Sequence, residues 1–232
     1  MPYSVVVADN IVKIFNDGLP NEVIAIEGVS FNINEGETIV FQGPSGSGKT
    51  TLLTVIGCMA KPSSGDLFVL GSRVSKWSED FLTQFRRQHI GFIFQNFNLI
   101  GDLTAFQNIA LPLVPTGIGT AELNHRVETW ADKLSIKHRL RFKTGILSGG
   151  EMQRVAVARA LIADPEIVIA DEPTAHLDTR LSQSIMDIFT ELKFLGKTIV
   201  IATHDPLVVR ASIVDKVISF RDGHIVNETE KL

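Results

Sequence analysis

Residues 38–50, TIVFQGPSGSGKT, join a continuous apolar run to a glycine-rich loop that ends in a lysine and a threonine. The run at 38–41 predicts a buried strand, and the pattern over 49–58 predicts a helix after the loop. Glycines let such a loop curl so that its N–H groups point inward, and the helix N-terminus adds partial positive charge. This strand–loop–helix order predicts an α/β fold built around a phosphate-binding loop.

The loop matches the pattern G-x-x-x-x-G-K-[ST]. In this pattern Lys49 reaches the β and γ phosphates of a nucleotide, and the hydroxyl of Thr50 is a ligand for Mg²⁺. The loop therefore predicts a site for the phosphates of a nucleotide and for Mg²⁺. The residues expected to hold the nucleotide here are Gly43, Pro44, Ser45, Gly46, Ser47, Gly48, Lys49, Thr50 and Thr51.

Composition narrows the class of protein. The chain has 232 residues, of which 44% are hydrophobic and 21% charged, and this excludes a disordered or fibrous chain. A net charge of −4 does not indicate a nucleic-acid partner, and the single cysteine, Cys58, excludes an internal disulfide. No apolar run approaches the ~18–20 residues of a membrane span. We expect one soluble domain that remains in the compartment where it is made.

The order of patterns along the chain predicts how that domain, residues 1–232, is organised. Strands are expected within 3–42 and at 90–94, and parallel strands are expected at 167–170 and 198–202. Helices are expected at 149–163, 179–195 and 206–212, and a hairpin at 215–228. The segment of about 96–148 carries Pro and Gly and then a helical pattern. We interpret it, with the helix that follows, as a helical subdomain of about 96–160 inserted into the core.

A second motif follows the apolar run at 167–170, which ends in Asp171 and Glu172. Ligands bind at the carboxyl ends of strands in open α/β sheets, so both carboxylates are expected at the site. Asp171 fits a Mg²⁺ ligand. On an extended backbone Glu172 points to the other side and could polarise an attacking water. Alone this motif is weak, because a solvated strand end explains it equally well; beside the phosphate loop it is strong.

A third motif, Leu147-Ser148-Gly149-Gly150-Glu151, opens a long helix. Ser148 suits the N-cap position, and two glycines leave the first N–H groups bare of side chains. An ordinary cap needs no double glycine, and glycine in a helix is otherwise costly. The motif therefore predicts a second anion site at a helix N-terminus.

Together these motifs resemble those of the ATP-binding cassette (ABC) ATPases. The phosphate loop is similar to their Walker A motif, 167–172 to Walker B and 147–151 to the signature. Gln95 resembles the Q-loop glutamine, 175–178 the D-loop, and His204 the switch histidine. The resemblance covers nearly the whole chain in the family's order. It implies a P-loop NTPase core (a mostly parallel sheet flanked by helices, RecA-like) with an antiparallel β-subdomain before it and a helical insertion.

The resemblance also implies how the residues act. In this family two cassettes pair head to tail, so Ser148, Gly149, Gly150 and Glu151 would face the ATP held by a second copy, and Asp178 would couple the two sites. Lys49 and Gln95 would act at the phosphates and at Mg²⁺, Glu172 would be the general base, and His204 would hold the γ-phosphate. Phe15 stands where the family often has a tyrosine that stacks on adenine, although the alternative is a core aromatic.

Partners follow from the resemblance as well. Apolar residues crowd the stretch from Gln95 to Phe106 and on to Ile109. In the family this region borders the groove for a permease helix, although these residues could equally form the insertion's own core. The segments 13–15, 56–58 and 86–100 look like the lipoprotein-release and macrolide-exporter (LolD/MacB-like) type. We expect a peripheral subunit on the cytoplasmic side of the bacterial inner membrane.

Other classes of ABC protein fit less well. The DNA-repair class separates its phosphate loop and signature by hundreds of residues, and the translation class carries two cassettes on one chain. Neither matches the short separation and single motif set found here. A soluble assembly factor is the remaining alternative. The apolar stretch after Gln95 speaks against it, and capture of a membrane permease would decide the question.

Overall fold

The structure is a computed structural model that describes residues 3–175 and 177–231. Within these ranges the chain forms ten strands and seven α-helices. The strands are β1 (Ser4–Phe15), β2 (Val23–Asn34), β3 (Thr38–Gln42), β4 (Ser64–Val69), β5 (Ser72–Arg73), β6 (Ile90–Ile93), β7 (Ile167–Asp171), β8 (Thr198–Thr203), β9 (Lys216–Arg221) and β10 (His224–Glu230). The helices are α1 (Lys49–Ile56), α2 (Glu79–His89), α3 (Ala105–Ala110), α4 (Thr120–Lys133), α5 (Gly149–Leu161), α6 (Thr179–Phe194) and α7 (Pro206–Arg210).

The central sheet has the strand order β10-β9-β3-β8-β7-β6. All its neighbours pair in parallel except β9 and β10, which form the expected hairpin around Asp222 and Gly223. Strands β7 and β8 are buried along their whole length, as their continuous apolar runs predict. The carboxyl ends of β3, β7 and β8 meet at one edge, where Gln42 pairs with Thr203 and Asp171 with Ala202.

A second, antiparallel sheet of order β2-β1-β4-β5 packs on the first. Aromatic side chains join the two: the ring of Phe41 lies 5.3 Å from that of Phe31 and 6.5 Å from that of Phe220, both edge to face. The backbone N–H of Glu27 also donates to Gly223 O at 3.0 Å. These contacts fix the end of β1, with Phe15, beside the edge where the parallel strands end.

The chain between β6 and β7 contains α3, α4 and α5. Its entry loop is organised by the fully buried amide of Asn108. The Asn108 Oδ1 accepts from the Ile100 N–H at 2.9 Å, and its Nδ2 donates to the carbonyls of Ile100 and Thr104, each at 3.1 Å. This clamp shapes the segment that follows Gln95.

Several sequence expectations about elements need correction. Helix α1 ends at Ile56 rather than at residue 58, because Cys58 has a φ of 55° and turns the chain out of the helix. The other helices expected from the sequence end one or two residues early. Strands β4 and β5 and helix α2 were not predicted. None of the helices in the described ranges combines the length and apolar character that a membrane crossing requires.

Candidate functional site

A cleft of about 590 Å³ opens where the parallel strands end. It collects most residues singled out from the sequence, although they are scattered from the first strand to the last hairpin. Its lining comprises Phe15, Val23, Ile24, Ala25, Ser45, Gly46, Gly48, Lys49, Thr50, Thr51, Gln95, Asp171, Glu172, His204, Asp222 and Gly223.

Lys49 lies buried at the base of this cleft, at the first position of α1. Its Nζ donates to the carbonyls of Gly43 at 2.7 Å and Pro44 at 2.8 Å, so the loop closes around its own lysine. Burial lowers the pKa of Lys49 below its usual value, while the carboxylates of Glu172 and Asp171 oppose that shift. A cation in such a loop that has no direct carboxylate partner among the described residues is suited to bind phosphate oxygens.

Gly48, at the N-cap of α1, shows why the loop needs glycine. Its φ is 100°, in the region that side chains rarely adopt, and a Cβ atom there would lie 2.3 Å from Ala25 O. The turn of 46–48 therefore holds the loop against β2. The loop is further fixed by the Gly223 N–H, which donates to Ser47 O at 3.0 Å.

Asp171 and Thr50 meet across the floor of the cleft. Both side chains line the cleft. Burial raises the pKa of Asp171 above its usual value, and the nearby Thr50 hydroxyl partly offsets the shift. Asp171 Oδ1 is buried and has no hydrogen-bond partner among the described residues. A buried, unpartnered carboxylate oxygen beside a hydroxyl is a donor set that suits a hard divalent cation.

Glu172 adopts a left-handed backbone, with a φ of 47°. The expectation of an extended backbone at this residue was wrong, because the chain leaves the sheet here. The Glu172 N–H donates to Ala202 O at 2.8 Å, which holds the turn. Its side chain nevertheless lines the cleft together with Asp171. A non-glycine residue in this conformation at a strand end is a strained position of the kind found at functional sites.

The Glu172 carboxylate is held by two neighbours from the end of β8. Its Oε2 accepts from Thr203 Oγ1 at 2.9 Å, and its Oε1 lies 2.8 Å from His204 Nδ1. The glutamate side chain is only 10% exposed, whereas that of His204 is 66% exposed. Because a carboxylate only accepts, the bond places a proton on Nδ1 and leaves Nε2 for other partners. The pair thus presents a base and an imidazole to the cleft.

Phe15 ends β1 at the outer rim of the cleft. Its ring is 43% exposed, which excludes the alternative of a core aromatic. The Nζ of Lys13 lies 5.2 Å from the ring centroid, in cation–π geometry. Val23 and Ile24 add exposed apolar surface at the same rim. The arrangement offers a flat apolar platform next to the phosphate loop.

Gln95 lines the cleft from the loop after β6, and this loop is anchored from α5. The guanidinium of Arg159 donates to the carbonyls of Asn98 at 2.5 Å and Phe97 at 2.6 Å. Both residues have positive φ, 59° for Phe97 and 48° for Asn98. Burial lowers the pKa of Arg159. Sequence reasoning missed this arginine, since a single basic residue near the end of a helix carries no distinguishing signal.

The signature residues lie outside the cleft. Ser148 and Gly149 are exposed at the N-terminus of α5. Gly150 lines a different cavity, of about 300 Å³, with Leu177 and Leu181. A Cβ atom on Gly150 would lie 2.5 Å from Leu181 Cδ1, so glycine permits close packing against α6. The structure therefore contains two candidate anion sites that do not meet within one chain.

A capping box closes the N-terminus of α5. The Ser148 N–H donates to Glu151 Oε2 at 2.9 Å, and the Glu151 N–H donates back to Ser148 Oγ at 3.4 Å. The second carboxylate oxygen accepts from Arg139 Nε at 2.7 Å. The hydrogen bond from the Ser148 backbone and the pairing with Arg139 lower the pKa of Glu151 to about 2. Ser148 is the N-cap that the sequence predicted.

Asp178 also acts as a helix cap, because its Oδ1 accepts from the Leu181 N–H at 2.9 Å at the start of α6. It is exposed and does not line the cleft. His176, within the same motif, lies outside the described residues. Thr203 is the other contact that sequence reasoning missed, since nothing in an apolar strand marks its last threonine as a partner of Glu172.

Two family models match parts of this chain. The family model described as "ABC transporter" matches residues 26–175, and a model described as an AAA domain matches 152–210. An uncharacterized ABC transporter ATP-binding protein of Thermotoga maritima is 41% identical over 88% of this chain and 86% of its own length. The macrolide export ATP-binding/permease protein MacB of Vibrio parahaemolyticus is 43% identical over 87% of this chain, which spans only 30% of that protein.

Solved structures agree with the relatives. The ATP-binding cassette MJ0796, described as a dimer in a post-hydrolysis state bound to ADP and Pi, superposes with a TM-score of 0.91. The two are 37% identical, over 97% of this chain and 98% of the other. These matches confirm the P-loop NTPase fold, the ATPase activity and the MacB-like subfamily expected from the motifs. The chain therefore belongs to the ATP-binding cassette family of transporter ATPases.

Proposed function

We propose that this protein is the ATP-hydrolysing subunit of a bacterial transporter or mechanotransmission complex of the LolD/MacB type. It drives a membrane permease from the cytoplasmic side of the inner membrane through ATP-dependent pairing of two cassettes. The observation that carries the proposal is the separation of the cleft from the signature: Lys49 and Glu172 line the cleft, whereas Ser148 and Gly149 are exposed elsewhere.

Pairing of two copies explains this separation. The first N–H groups of a helix have no intrahelical partner, and Gly149 is exposed and Gly150 half-buried, with no side chain on either to cover these groups. In a head-to-tail dimer they would meet the γ-phosphate held by the partner's phosphate loop. Asp178, capping α6 close to the same surface, would lie between the two sites. The dimeric cassette MJ0796 supports this assembly for a chain of the same fold.

Magnesium fits the floor of the cleft. Thr50 Oγ1 and the unpartnered Asp171 Oδ1 are oxygen donors, and Gln95 offers an amide oxygen at the cleft's side. When bound, the ion would neutralise charge on the β and γ phosphates. We assign Thr50, Asp171 and Gln95 to this ion, and residues 43–51 with Phe15 to the nucleotide.

Hydrolysis is assigned to the pair at the strand ends. Glu172 accepts a proton from the attacking water while the water oxygen bonds to the γ-phosphorus and the bond to the bridging β–γ oxygen breaks. His204, whose Nδ1–H is held by Glu172, donates from its second ring nitrogen to the γ-phosphate in the imidazolium form, in which both ring nitrogens donate. Lys49 stabilises the charge that develops on the phosphate oxygens. ADP and phosphate are the products.

We assign the permease-binding surface to the helical subdomain, which we propose to comprise residues of about 96–160. Its apolar stretch after Gln95 serves both of the uses weighed from the sequence: Ile109 is fully buried, whereas Ile100 is exposed. Ile146 is 73% exposed, and its loop contacts that of Ile100, since the Gly145 N–H donates to Gly101 O at 3.1 Å. These exposed apolar side chains suit a helix-in-groove contact.

A mixing experiment tests the shared site. Lys49→Ala chains lack the phosphate-binding cation, and Ser148→Arg chains carry an obstruction where the partner's phosphate would lie, so each is expected to be inactive alone. A mixed dimer retains one site with an intact Lys49 and an intact signature. We expect ATPase activity to return on mixing, and the specific activity of the wild type to rise with protein concentration. Full-rate hydrolysis by a demonstrated monomer would exclude the shared site.

A further inference from the structure

We propose that Thr203 is a positioning residue for hydrolysis: its hydroxyl holds the Glu172 carboxylate in the orientation that receives the proton of the attacking water. The inference rests on the proposed role of Glu172 and adds a residue that neither the motifs nor the comparisons single out. Thr203 is the last residue of β8, is fully buried and does not line the cleft. It therefore acts through Glu172 and does not touch the substrate.

The direction of the hydrogen bond follows from its second partner. Thr203 Oγ1 lies 3.0 Å from the backbone nitrogen of Asp205 and 2.9 Å from Glu172 Oε2. A backbone N–H only donates, so the threonine oxygen accepts from Asp205. Its single proton is then committed to Glu172, whose carboxylate only accepts. The hydroxyl is consequently aligned before any substrate binds.

This commitment matters because the backbone of Glu172 alone does not fix its side chain. Residue 172 has left the sheet, and its turn is held by backbone hydrogen bonds, from its N–H to Ala202 O and from the Ala175 N–H to its own carbonyl, which leave the side chain unconstrained. The remaining contact, with His204, comes from a side chain that is largely exposed. Thr203, in contrast, belongs to a strand that is hydrogen-bonded on both sides. It is thus the rigid member of the pair that holds Glu172.

The network extends one step further and supplies a control. Asp205 Oδ2 accepts from Thr174 Oγ1 at 2.9 Å, so Thr174 and Thr203 support the same turn at the start of α7. Both threonines are buried, but only Thr203 contacts the Glu172 carboxylate. A substitution at Thr174 disturbs the turn, but Glu172 still accepts its hydrogen bond from the Thr203 hydroxyl.

The experiment compares Thr203→Val, Thr203→Ser and Thr174→Val in ATPase assays and ATP-binding calorimetry. Losing a hydrogen bond to a charged group predicts a kcat about tenfold lower for Thr203→Val, with an unchanged Kd for ATP. Thr203→Ser keeps the hydroxyl and should restore kcat, and Thr174→Val should stay near the wild type. Thr203→Ala removes the same hydroxyl and replaces Thr203→Val if that variant does not fold.

Two outcomes would overturn the inference: a wild-type kcat in folded Thr203→Val, or an equal loss of kcat in Thr174→Val. Glu172→Gln, assayed in parallel, keeps the inference separate from the proposed function. If Glu172→Gln retains turnover, the role of Glu172 as base fails first. If it is inactive while Thr203→Val is unaffected, only the positioning role of Thr203 fails.

Discussion

The cleft and the signature are both anion sites by chemistry, yet the chain builds them in opposite ways. In the cleft, charged groups are buried and held from several strands, as Lys49, Asp171 and Glu172 show. At the signature, Ser148 is exposed and is supported by the carboxylate of Glu151, which is in turn paired with Arg139. One site is preorganised within the chain, and the other is presented on its surface.

The difference teaches what each region needs for function. Buried charges cost free energy in the unliganded chain and are retained where they meet developing charge in a transition state. An exposed helix N-terminus costs little and gains its value only when an anion is brought to it. We therefore interpret the cleft as the part of the site that carries out hydrolysis and the signature as the part that completes the site of a second copy. Substitutions in each region should separate the two roles.

The largest effect is expected for Glu172→Gln, which removes the base and keeps the side-chain shape. Loss of a general base lowers kcat by ~10²–10⁴-fold. ATP should still bind, and a dimer should accumulate with ATP because hydrolysis normally dissolves it. Turnover assays and size-exclusion chromatography with ATP measure both effects. Glu166→Gln is the control, since Glu166 pairs with His89 away from the cleft. Near wild-type turnover in Glu172→Gln would show that Glu172 is not the base.

The main effect of Lys49→Ala should be weaker binding of the nucleotide. Hydrogen bonds to charged groups are worth ~1.5–3 kcal/mol, so the affinity for MgATP should fall by about 10–150-fold. The fold should persist, because in the chain itself the lysine only joins the carbonyls of Gly43 and Pro44. Calorimetry gives the affinity and thermal unfolding gives the stability. Equal ATP affinity in the two proteins would contradict the assignment of the phosphate loop.

The two regions also differ in how far the sequence predicts them. The phosphate loop and strands β7 and β8 are contiguous patterns, so their place in the sheet and at the cleft follows from local chemistry. The capping box at Ser148 and Glu151 is local in the same way. What the sequence does not predict is contact between distant residues: Thr203 is far along the chain from Glu172, and Arg159 from Asn98.

Two further features were missed. Helix α2 was not predicted, although Phe81, Leu82 and Phe85 lie at helical spacing on one face. The left-handed turn at Glu172 was missed because its cause, the hydrogen bond to Ala202, lies on another strand. Assembly is harder still, since an exposed signature shows where a partner could bind but not its geometry.

Gly149→Ala tests the surface half of the site with little disturbance of the chain. A Cβ atom at Gly149 meets nothing within 4 Å, so stability should stay the same or rise slightly. If the glycine faces the partner's phosphate, the methyl group displaces it, and ATPase activity should fall by about tenfold or more. Gly119→Ala, at the equally open N-cap of α4, is the control and should keep full activity. Unchanged activity in Gly149→Ala would argue against a shared site.

The smallest effect concerns the support of the signature, and it should appear as stability against pH. Glu151→Ala removes half of the capping box and should lower the free energy of unfolding by about 1 kcal/mol near neutral pH. Because folding depresses the pKa of Glu151 to about 2, its charge stabilises the protein above the ordinary carboxyl range, near pH 4.5. This contribution declines as the pH falls from there towards 2.

Urea unfolding of the wild type and Glu151→Ala at a series of pH values measures this difference. It should be constant above about pH 5 and narrow below about pH 4.5, because the carboxylate of the unfolded chain is protonated there while the native carboxylate stays charged until the pH nears 2. Glu151→Gln retains an acceptor for the Ser148 N–H but carries no charge, so its own deficit should be smaller near neutrality and should likewise shrink in acid. A deficit for Glu151→Ala that stays constant down to the lowest pH at which the protein folds would mean that packing, and not the charge of Glu151, supports the signature.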